Sequence, residues 1–169
     1  MFEKLTPDRV FESITDIKIL DLKRMDIEGL ILDIDNTIAK YSETVPPSAI
    51  VSWCGDIEKE NIKIFLMSNN RSDERVRTVA QALSVEYMIH ARKPRPAGFL
   101  WAAAVLNIDS GRICVIGDQI FTDVFGAKRA GMRAFLVTPR GLGDSILFRI
   151  RRWVETPFIY MSKRYDKFL

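Results

Sequence analysis

The stretch that most constrains this chain is residues 29–37, where an apolar run ends in two acidic residues separated by one position. It reads Gly29-Leu30-Ile31-Leu32-Asp33-Ile34-Asp35-Asn36-Thr37. A continuous apolar run is typical of a strand buried on both faces, as in a parallel sheet. In open α/β sheets ligands bind at the carboxyl ends of the strands, where the two acids are placed. Taken alone, the cluster is equally compatible with a surface turn that closes a strand.

Beyond this stretch the sequence alternates between strand-like apolar runs and segments with helical periodicity. Further strands are predicted over residues 62–67, 85–89, 112–116 and 133–137. Helices are predicted over residues 46–59, 72–83 and 96–106, and from Thr122-Asp123 to Gly131. Two more helices are predicted before the first strand, one from Thr6-Pro7-Asp8 to about Ser13 and one over Asp21–Met25. The alternation predicts an α/β fold, a three-layer, Rossmann-like, doubly wound parallel sheet with helices on both faces.

The breaker-rich stretch Pro139–Gly143 is the predicted boundary between two parts of this 169-residue chain. Residues 1–144 are assigned to the sheet domain with an N-terminal helical extension, and residues 145–169 to a tail. The tail has six basic and two acidic side chains, a net charge of +4, whereas the whole chain has a net charge of +3. The positive excess therefore lies entirely in the tail.

The tail is predicted to begin as a basic amphipathic helix. A helical wheel of residues 146–155 gathers these apolar side chains on one side: Ile146, Leu147, Ile150, Trp153 and Val154. A basic helix with Trp and Tyr nearby is typical of an element that binds a membrane surface. The alternative is a terminal helix that packs on its own domain.

The cysteines and the apolar runs bear on where the protein works. Cys54 and Cys114 fall inside predicted regular elements, so neither a disulfide framework nor a zinc site is expected. The first residues are charged, unlike the apolar core of a signal peptide. No run approaches the about 20 apolar residues that a membrane span needs. These features favour a cytoplasmic protein, either free or peripheral on the inner face of the membrane.

Polar side chains follow three of the predicted strands, and a fourth loop adds a lysine. They are Asp33, Asp35, Ser68, Lys93, Asp118 and Asp123. Because parallel strands end at the same edge of the sheet, these side chains are expected to converge there. Clustered carboxylates repel one another unless a cation relieves them, and Mg²⁺ suits a site with few protein ligands. A lysine and a serine nearby suit a phosphoryl group, and a carboxylate can act as a nucleophile towards phosphorus.

The motifs of this chain resemble the four ordered motifs of the haloacid dehalogenase (HAD) superfamily phosphatases. They are Asp33-Ile34-Asp35-Asn36-Thr37, Ser68 after an apolar strand, Lys93-Pro94, and Gly117-Asp118-Gln119-Ile120-Phe121-Thr122-Asp123. The resemblance spans residues 29–137, and the four motifs together are far more specific than any one alone. The details are more similar to one branch, the YqeG group, whose relatives include the mitochondrial-type phosphatidylglycerophosphate phosphatase.

The resemblance implies a catalytic set with Mg²⁺ as cofactor. Asp33 would attack phosphorus and form an aspartyl-phosphate, while Asp35 would protonate the leaving group and then take a proton from water. Lys93 would offset negative charge, and Asp123 would orient Lys93 or a metal-bound water. The implied metal ligands are the Asp33 carboxylate, the Asp35 backbone carbonyl and Asp118.

Three polar residues beside the implied nucleophile and lysine complete the site. Ser68 is implied by the resemblance to hydrogen-bond the phosphoryl oxygens. Thr37 and Asn69 are given supporting roles: Thr37 satisfies the turn after the first strand, and Asn69 either shapes its loop or contacts substrate.

The spacing of the motifs leaves no room for a cap domain, which members of this superfamily often carry. Residues 38–67 and 69–92 are used up by loops, helices and strands, and neither segment has the about 50 residues of a separate domain. An open site suits a phosphate group that is presented on a large surface, such as a membrane, a polynucleotide or a protein. With the basic tail, this favours a phosphate ester on an anionic phospholipid at a membrane surface, most specifically phosphatidylglycerophosphate, dephosphorylated to phosphatidylglycerol.

Other functions remain compatible with these residues. A phosphatase of this type can act instead on a soluble phosphate ester or a polynucleotide, of which the nucleic acid is the less favoured partner. A non-enzymatic alternative is a switch in which Asp33 accepts a phosphoryl group and holds it. Asp35 argues against the switch, since a general base beside an acyl-phosphate promotes its hydrolysis.

Overall fold

The computed structural model describes residues 2–141 and Pro157. Residues 2–141 form a parallel sheet flanked by helices. The predicted tail over residues 145–169 lies, apart from Pro157, outside the described residues. The strands are β1 (Arg9–Phe11), β2 (Gly29–Leu32), β3 (Lys63–Met67), β4 (Glu86–Met88), β5 (Ile113–Gly117) and β6 (Arg133–Val137). Their order across the sheet is β1-β6-β5-β2-β3-β4, and every neighbouring pair is parallel.

Helices cover both faces of this sheet. They are α1 (Ile19–Arg24), α2 (Ser48–Lys59), α3 (Asp73–Leu83), α4 (Pro96–Leu106) and α5 (Phe125–Arg129). Leu30 and Leu32 of β2 pack in one core with residues of α2 and α3. Ile31, between them, packs in a second core with residues of α4 and α5. Alternate side chains of β2 thus enter two cores on opposite faces of the sheet, as strand geometry requires. This confirms the predicted three-layer, doubly wound α/β fold.

Strand β2 lies at the centre of the sheet, which explains its unbroken apolar sequence. Leu30, Ile31 and Leu32 are completely buried, with β3 on one side and β5 on the other. The ladder continues past the strand, because the backbone N–H of Asp33 donates to the carbonyl of Ile116 at 2.9 Å. Asp33 therefore reaches the carboxyl edge of the sheet with its backbone fixed to β5.

The N-terminal helix predicted from Thr6-Pro7-Asp8 to about Ser13 is wrong, because that segment contains strand β1. Asp8 pins the chain to β6: its backbone N–H donates to the carbonyl of Ala134 at 2.8 Å. Its carboxylate accepts from the Ala134 N–H at 2.7 Å and from Lys128 Nζ at 2.6 Å. Pairing with a distant strand thus overrides a good local helix signal, while the predicted helix over Asp21–Met25 corresponds to α1.

The helix predicted to start at a Thr122-Asp123 cap begins earlier and is built differently. Residues Ile120–Val124 form a turn of π-helix that runs directly into α5. The Asp123 side chain therefore lies inside the turn, where one oxygen accepts from the backbone N–H of Gln119 at 3.2 Å. Its other oxygen contacts Lys93 at 2.7 Å. Asp123 therefore does not act as an outside cap; it contacts Lys93 in another loop, one of the two partners that the resemblance implies for it.

The connections between the site-bearing strands are short. One loop and α2 separate β2 from β3, and α3 alone lies between β3 and β4. Within residues 2–141 no separate domain is inserted at either position, as predicted for a capless chain. Among the helices that the structure describes, none has the length and apolar content to cross a membrane.

Candidate active site

The predicted site residues lie where four adjacent strands end or in the loops that follow them. Asp33 follows β2, Ser68 follows β3, Lys93 lies in the loop after β4, and Asp118 follows β5. These strands are neighbours in the order β5-β2-β3-β4. The crossovers of a parallel sheet therefore bring residues from distant parts of the chain to one edge.

Lys93 is the centre of the site. Its ammonium group donates to Asp33 Oδ1 at 2.6 Å, to Asp123 Oδ1 at 2.7 Å and to the carbonyl of Met67 at 3.2 Å. The lysine side chain is only 4% exposed, and those of Asp33 and Asp123 are 9% and 2% exposed. All three N–H bonds of the ammonium thus have acceptors, which satisfies a charge that would otherwise be costly to bury.

Burial and neighbouring charges shift the pKa values of Asp33 and Lys93. It raises the pKa of the Asp33 carboxyl to about 6, although the positive charge of Lys93 opposes the shift. Burial also lowers the pKa of Lys93, but attraction to Asp123 and Asp33 outweighs it, so the net shift of the lysine pKa is upward. Lys93 therefore remains an ammonium group at neutral pH, when Asp33 is mostly ionised.

Three buried acids form a cluster that can accept a divalent metal ion. Asp33, Asp118 and Asp123 each offer a carboxylate oxygen within 4.8 Å of the others. Ionised, these three carboxylates outweigh the single ammonium of Lys93 by two negative charges, which one divalent cation would balance. Oxygen donors of this kind are the ligands that hard cations prefer, so the residues fit such a metal.

The carboxylate of Asp35 is held by two side chains that are not part of this acidic cluster. Arg75 donates to its Oδ1 through Nε at 3.1 Å and Nη2 at 2.9 Å. Asn70 Nδ2 donates to its Oδ2 at 3.1 Å. The sequence pointed to Asp35 but not to Arg75. The available signal was the Ser72 helix start, since Ser72 accepts from the Arg75 backbone N–H at 3.4 Å and places that residue in the first turn of α3.

The supporting residues Thr37 and Asn69 have definite contacts. Thr37 Oγ1 donates to Asp33 Oδ2 at 3.0 Å, so both oxygens of Asp33 are held. The side-chain amide of Asn69 pairs with the backbone of Lys93, accepting from its N–H at 2.8 Å and donating to its carbonyl at 3.2 Å. Asn69 therefore fixes the loop that carries the lysine.

Ser68 is buried at the end of β3. Its Oγ accepts a hydrogen bond from the backbone N–H of Asn70 at 2.9 Å. Its backbone continues the sheet, since its N–H donates to Met88 and its carbonyl accepts from Ala91. The hydroxyl proton remains available to donate, as a group that binds a phosphoryl oxygen requires.

Comparison with known proteins shows similarity to hydrolases of the HAD superfamily and to phosphatases. A family model described as HAD-hydrolase-like matches residues 90–141. The chain is 30% identical over 158 residues to the probable phosphatase YqeG of Bacillus subtilis, covering 94% of this chain and 91% of that protein. It is also 25% identical over 154 residues to phosphatidylglycerophosphate phosphatase 1, chloroplastic/mitochondrial, of Arabidopsis thaliana, covering 83% of this chain and 44% of that protein.

Solved structures share the fold at low sequence identity. One is the cobalt-bound deoxy-D-mannose-octulosonate 8-phosphate phosphatase of Haemophilus influenzae, with a TM-score of 0.55 and 14% identity over 85% of this chain and 95% of that one. The sheet order and the acidic site at its carboxyl edge define a hydrolase of the HAD type. Given the similarity to YqeG over most of both chains, this protein belongs to the YqeG-like family of HAD phosphatases.

Proposed function

We propose that this protein is a Mg²⁺-dependent phosphomonoesterase that works through an aspartyl-phosphate and acts on an anionic phospholipid, most specifically phosphatidylglycerophosphate. The observation that carries the chemistry is the contact of one buried ammonium, Lys93, with two carboxylates, Asp33 and Asp123. A phosphate dianion and a carboxylate must meet before they can react, and a fixed positive charge lowers that barrier.

Asp33 is the proposed nucleophile, and its neighbours prepare it for attack. Lys93 holds Oδ1 at 2.6 Å and Thr37 holds Oδ2 at 3.0 Å, so the carboxylate is oriented before substrate arrives. Attack forms a bond from an Asp33 oxygen to phosphorus and breaks the bond from phosphorus to the leaving oxygen. Ser68 donates to a phosphoryl oxygen, and Lys93 offsets the charge that the transferred group brings.

Asp35 is the proposed acid and base. It protonates the leaving oxygen in the first step and takes a proton from the attacking water in the second. Its carboxylate is held by Arg75 and Asn70, separately from the lysine cluster. The two carboxylates of the motif thus have different surroundings, which suits one as nucleophile and the other as proton carrier.

The proposed Mg²⁺ would be held by Asp33, Asp118 and the backbone carbonyl of Asp35, with Asp123 completing the acidic group. When bound, the ion neutralises phosphoryl oxygen charge as a Lewis acid. We expect EDTA-treated protein to release no phosphate and added Mg²⁺ to restore release, measured as inorganic phosphate. Undiminished release by protein shown to be metal-free would contradict the metal requirement.

Three features support a phospholipid as substrate. The chain is similar to a phosphatidylglycerophosphate phosphatase over 83% of its length. Within residues 2–141 no inserted domain stands between the motifs that form the site. The sequence of residues 145–169 has a net charge of +4, which favours an anionic surface by roughly 1 kcal/mol per basic residue close to it.

A phosphate-release screen in Mg²⁺ tests this substrate. The screen compares vesicles containing phosphatidylglycerophosphate with nucleotides, sugar phosphates and 5′-phosphorylated DNA. We expect the highest kcat/KM on the lipid, and selective loss of lipid turnover when Arg149, Arg151 and Arg152 are changed to Gln. Faster release from a soluble ester or from DNA, with lipid turnover unaffected by those changes, would contradict the lipid proposal.

Gly117 gives an independent test of the placement of Asp123. A Cβ added at Gly117 would lie 2.6 Å from the Cβ of Asp123, so one of the two must move. Gly117→Ala is therefore expected to shift Asp123 off Lys93 and lower kcat by about 10². The matched control is Gly55→Ala, because an added Cβ there meets nothing within 4 Å. Equal kcat for both variants would contradict the role of Asp123.

A further inference from the structure

The guanidinium of Arg75 donates two hydrogen bonds to one oxygen of Asp35. Nε and Nη2 converge on Oδ1 at 3.1 and 2.9 Å. The side chains of Arg75 and Asp35 are 14% and 23% exposed, so water competes little for this contact. Two charged donors converge on Oδ1 from one side and fix the direction of the carboxylate as well as its position.

Arg75 is itself held in place by the loop between β2 and α2. Nη2 also donates to the carbonyl of Lys40 at 2.8 Å, and Nη1 donates to the carbonyl of Glu43. The guanidinium lies over the ring of Tyr41, 5.4 Å from its centroid. The planar group is thus anchored to the loop that begins at the Asp33-Asp35 motif.

The second oxygen of Asp35 has a different environment. Oδ2 accepts one hydrogen bond, from Asn70 Nδ2 at 3.1 Å. The other end of that amide accepts from the backbone N–H of Ser72 at 2.9 Å, which fixes the amide orientation. Oδ2 therefore accepts one hydrogen bond from a neutral amide, whereas Oδ1 accepts two from a cation.

We propose that Arg75 is a positioning residue for proton transfer: its guanidinium faces Oδ1 of Asp35 and keeps that oxygen unprotonated, so that Oδ2 carries the proton. This inference rests on the proposed phosphatase function. As the ester P–O bond breaks, its electron pair stays on the leaving oxygen, which takes the proton from Oδ2 while the bond from Asp33 to phosphorus forms. In the second step Oδ2 takes a proton from the attacking water, and the bond from phosphorus to Asp33 breaks with its electrons returning to the carboxylate.

The choice of ester separates this role from a purely structural one. An alkoxide leaves poorly and needs the proton, whereas p-nitrophenoxide leaves readily without it. A structural role would reduce the folded fraction and lower both rates equally. A positioning role changes the ratio of the two rates measured on the same sample.

The test compares full-length wild type with Arg75→Met in Mg²⁺, on glycerol 3-phosphate and on p-nitrophenyl phosphate. We expect kcat/KM for the alkyl ester to fall about 10²-fold and kcat/KM for the aryl ester to fall by less than about 10-fold, because general acid catalysis contributes at least about 10²-fold to a poor leaving group. The ratio kcat/KM reports the first step, so it excludes the hydrolysis of the aspartyl-phosphate, in which Asp35 acts as base for both esters. Arg77→Met is the control: this arginine lies on the same helix and pairs with Asp73 on the surface. Arg75→Gln replaces Arg75→Met if the latter does not fold.

A double variant makes the test stricter. If Arg75 acts through Asp35, adding Arg75→Met to Asp35→Asn should cause no further change in the ratio of alkyl to aryl rates. An equal loss on both esters, an unchanged alkyl rate, or a further change of the ratio in the Asp35→Asn background would each overturn the inference. Wild type that releases phosphate from neither ester, and none from phosphatidylglycerophosphate vesicles, would instead contradict the proposed function.

Discussion

Asp33→Asn protein is expected to release phosphate at least about 10⁴-fold more slowly than wild type, because an amide cannot form the acyl-phosphate bond. The substitution preserves the shape of the side chain, and Thr37 and Lys93 remain within hydrogen-bond distance of it. The measurement is inorganic phosphate release in Mg²⁺ on whichever ester wild type hydrolyses best.

Loss of folding does not explain the expected result for Asp33→Asn. Burial raises the pKa of Asp33 to about 6, above the ordinary value of 3.8 for an aspartate side chain. The stability linked to its protonation is therefore present at low pH and lost as pH rises through about 6. A neutral amide should thus leave the metal-free protein no less stable than wild type at pH 7. Asp56→Asn, which removes a surface carboxylate paired with Lys59, is the control. Substantial activity in Asp33→Asn would contradict the assignment of the nucleophile.

Lys93→Met is expected to lower both activity and stability. The ammonium contacts two buried carboxylates, so its removal leaves Asp33 and Asp123 without their shared cation. Breaking a buried ion pair from one side costs about 3–5 kcal/mol, which is a large part of the stability of a typical domain. Urea unfolding at pH 7 should show this loss in the free energy of unfolding, and phosphate release should fall with it.

Two further measurements separate charge from packing in Lys93→Met. Adding Asp123→Asn should recover part of the lost stability, because one of the two uncompensated carboxylates is then gone. Added Mg²⁺ should recover part of it as well, since the acidic cluster gains a cation. Lys59→Met, at a surface lysine, serves as control. A Lys93→Met protein as stable as wild type, or one destabilised further by Asp123→Asn, would contradict this account.

The fold was predictable because its strongest signals are local. The apolar run of β2 is buried because the strand is central, and Ser72 and Pro96 begin α3 and α4 as their side chains suggest. Strand β1 was not predictable in the same way. Its three residues gain their conformation from β6, more than 120 positions along the chain, with Asp8 as the clamp. The local preference of these residues for helix or strand does not depend on such a distant partner and cannot predict it.

The site likewise has one part that the sequence predicts and one part that it does not. The convergence of Asp33, Lys93 and Asp123 follows from strand ends that share one edge, which sequence order and topology rules predict. The ion pair of Arg75 with Asp35 depends on the rotation of α3 about its axis and on the position of the loop after β2. Neither is set by a motif, and an arginine in a first helical turn has no distinctive pattern of its own.

The central claim is that Asp33 carries the phosphoryl group during turnover. It is tested most directly by mass spectrometry of Asp35→Asn protein quenched in acid during hydrolysis of p-nitrophenyl phosphate. Without its general base the acyl-phosphate should persist, since water attacks it slowly. We predict one added phosphoryl group on the peptide that contains Asp33, and none on Asp33→Asn protein treated in the same way. A phosphoryl group on another residue, or turnover with no covalent adduct, would contradict the account.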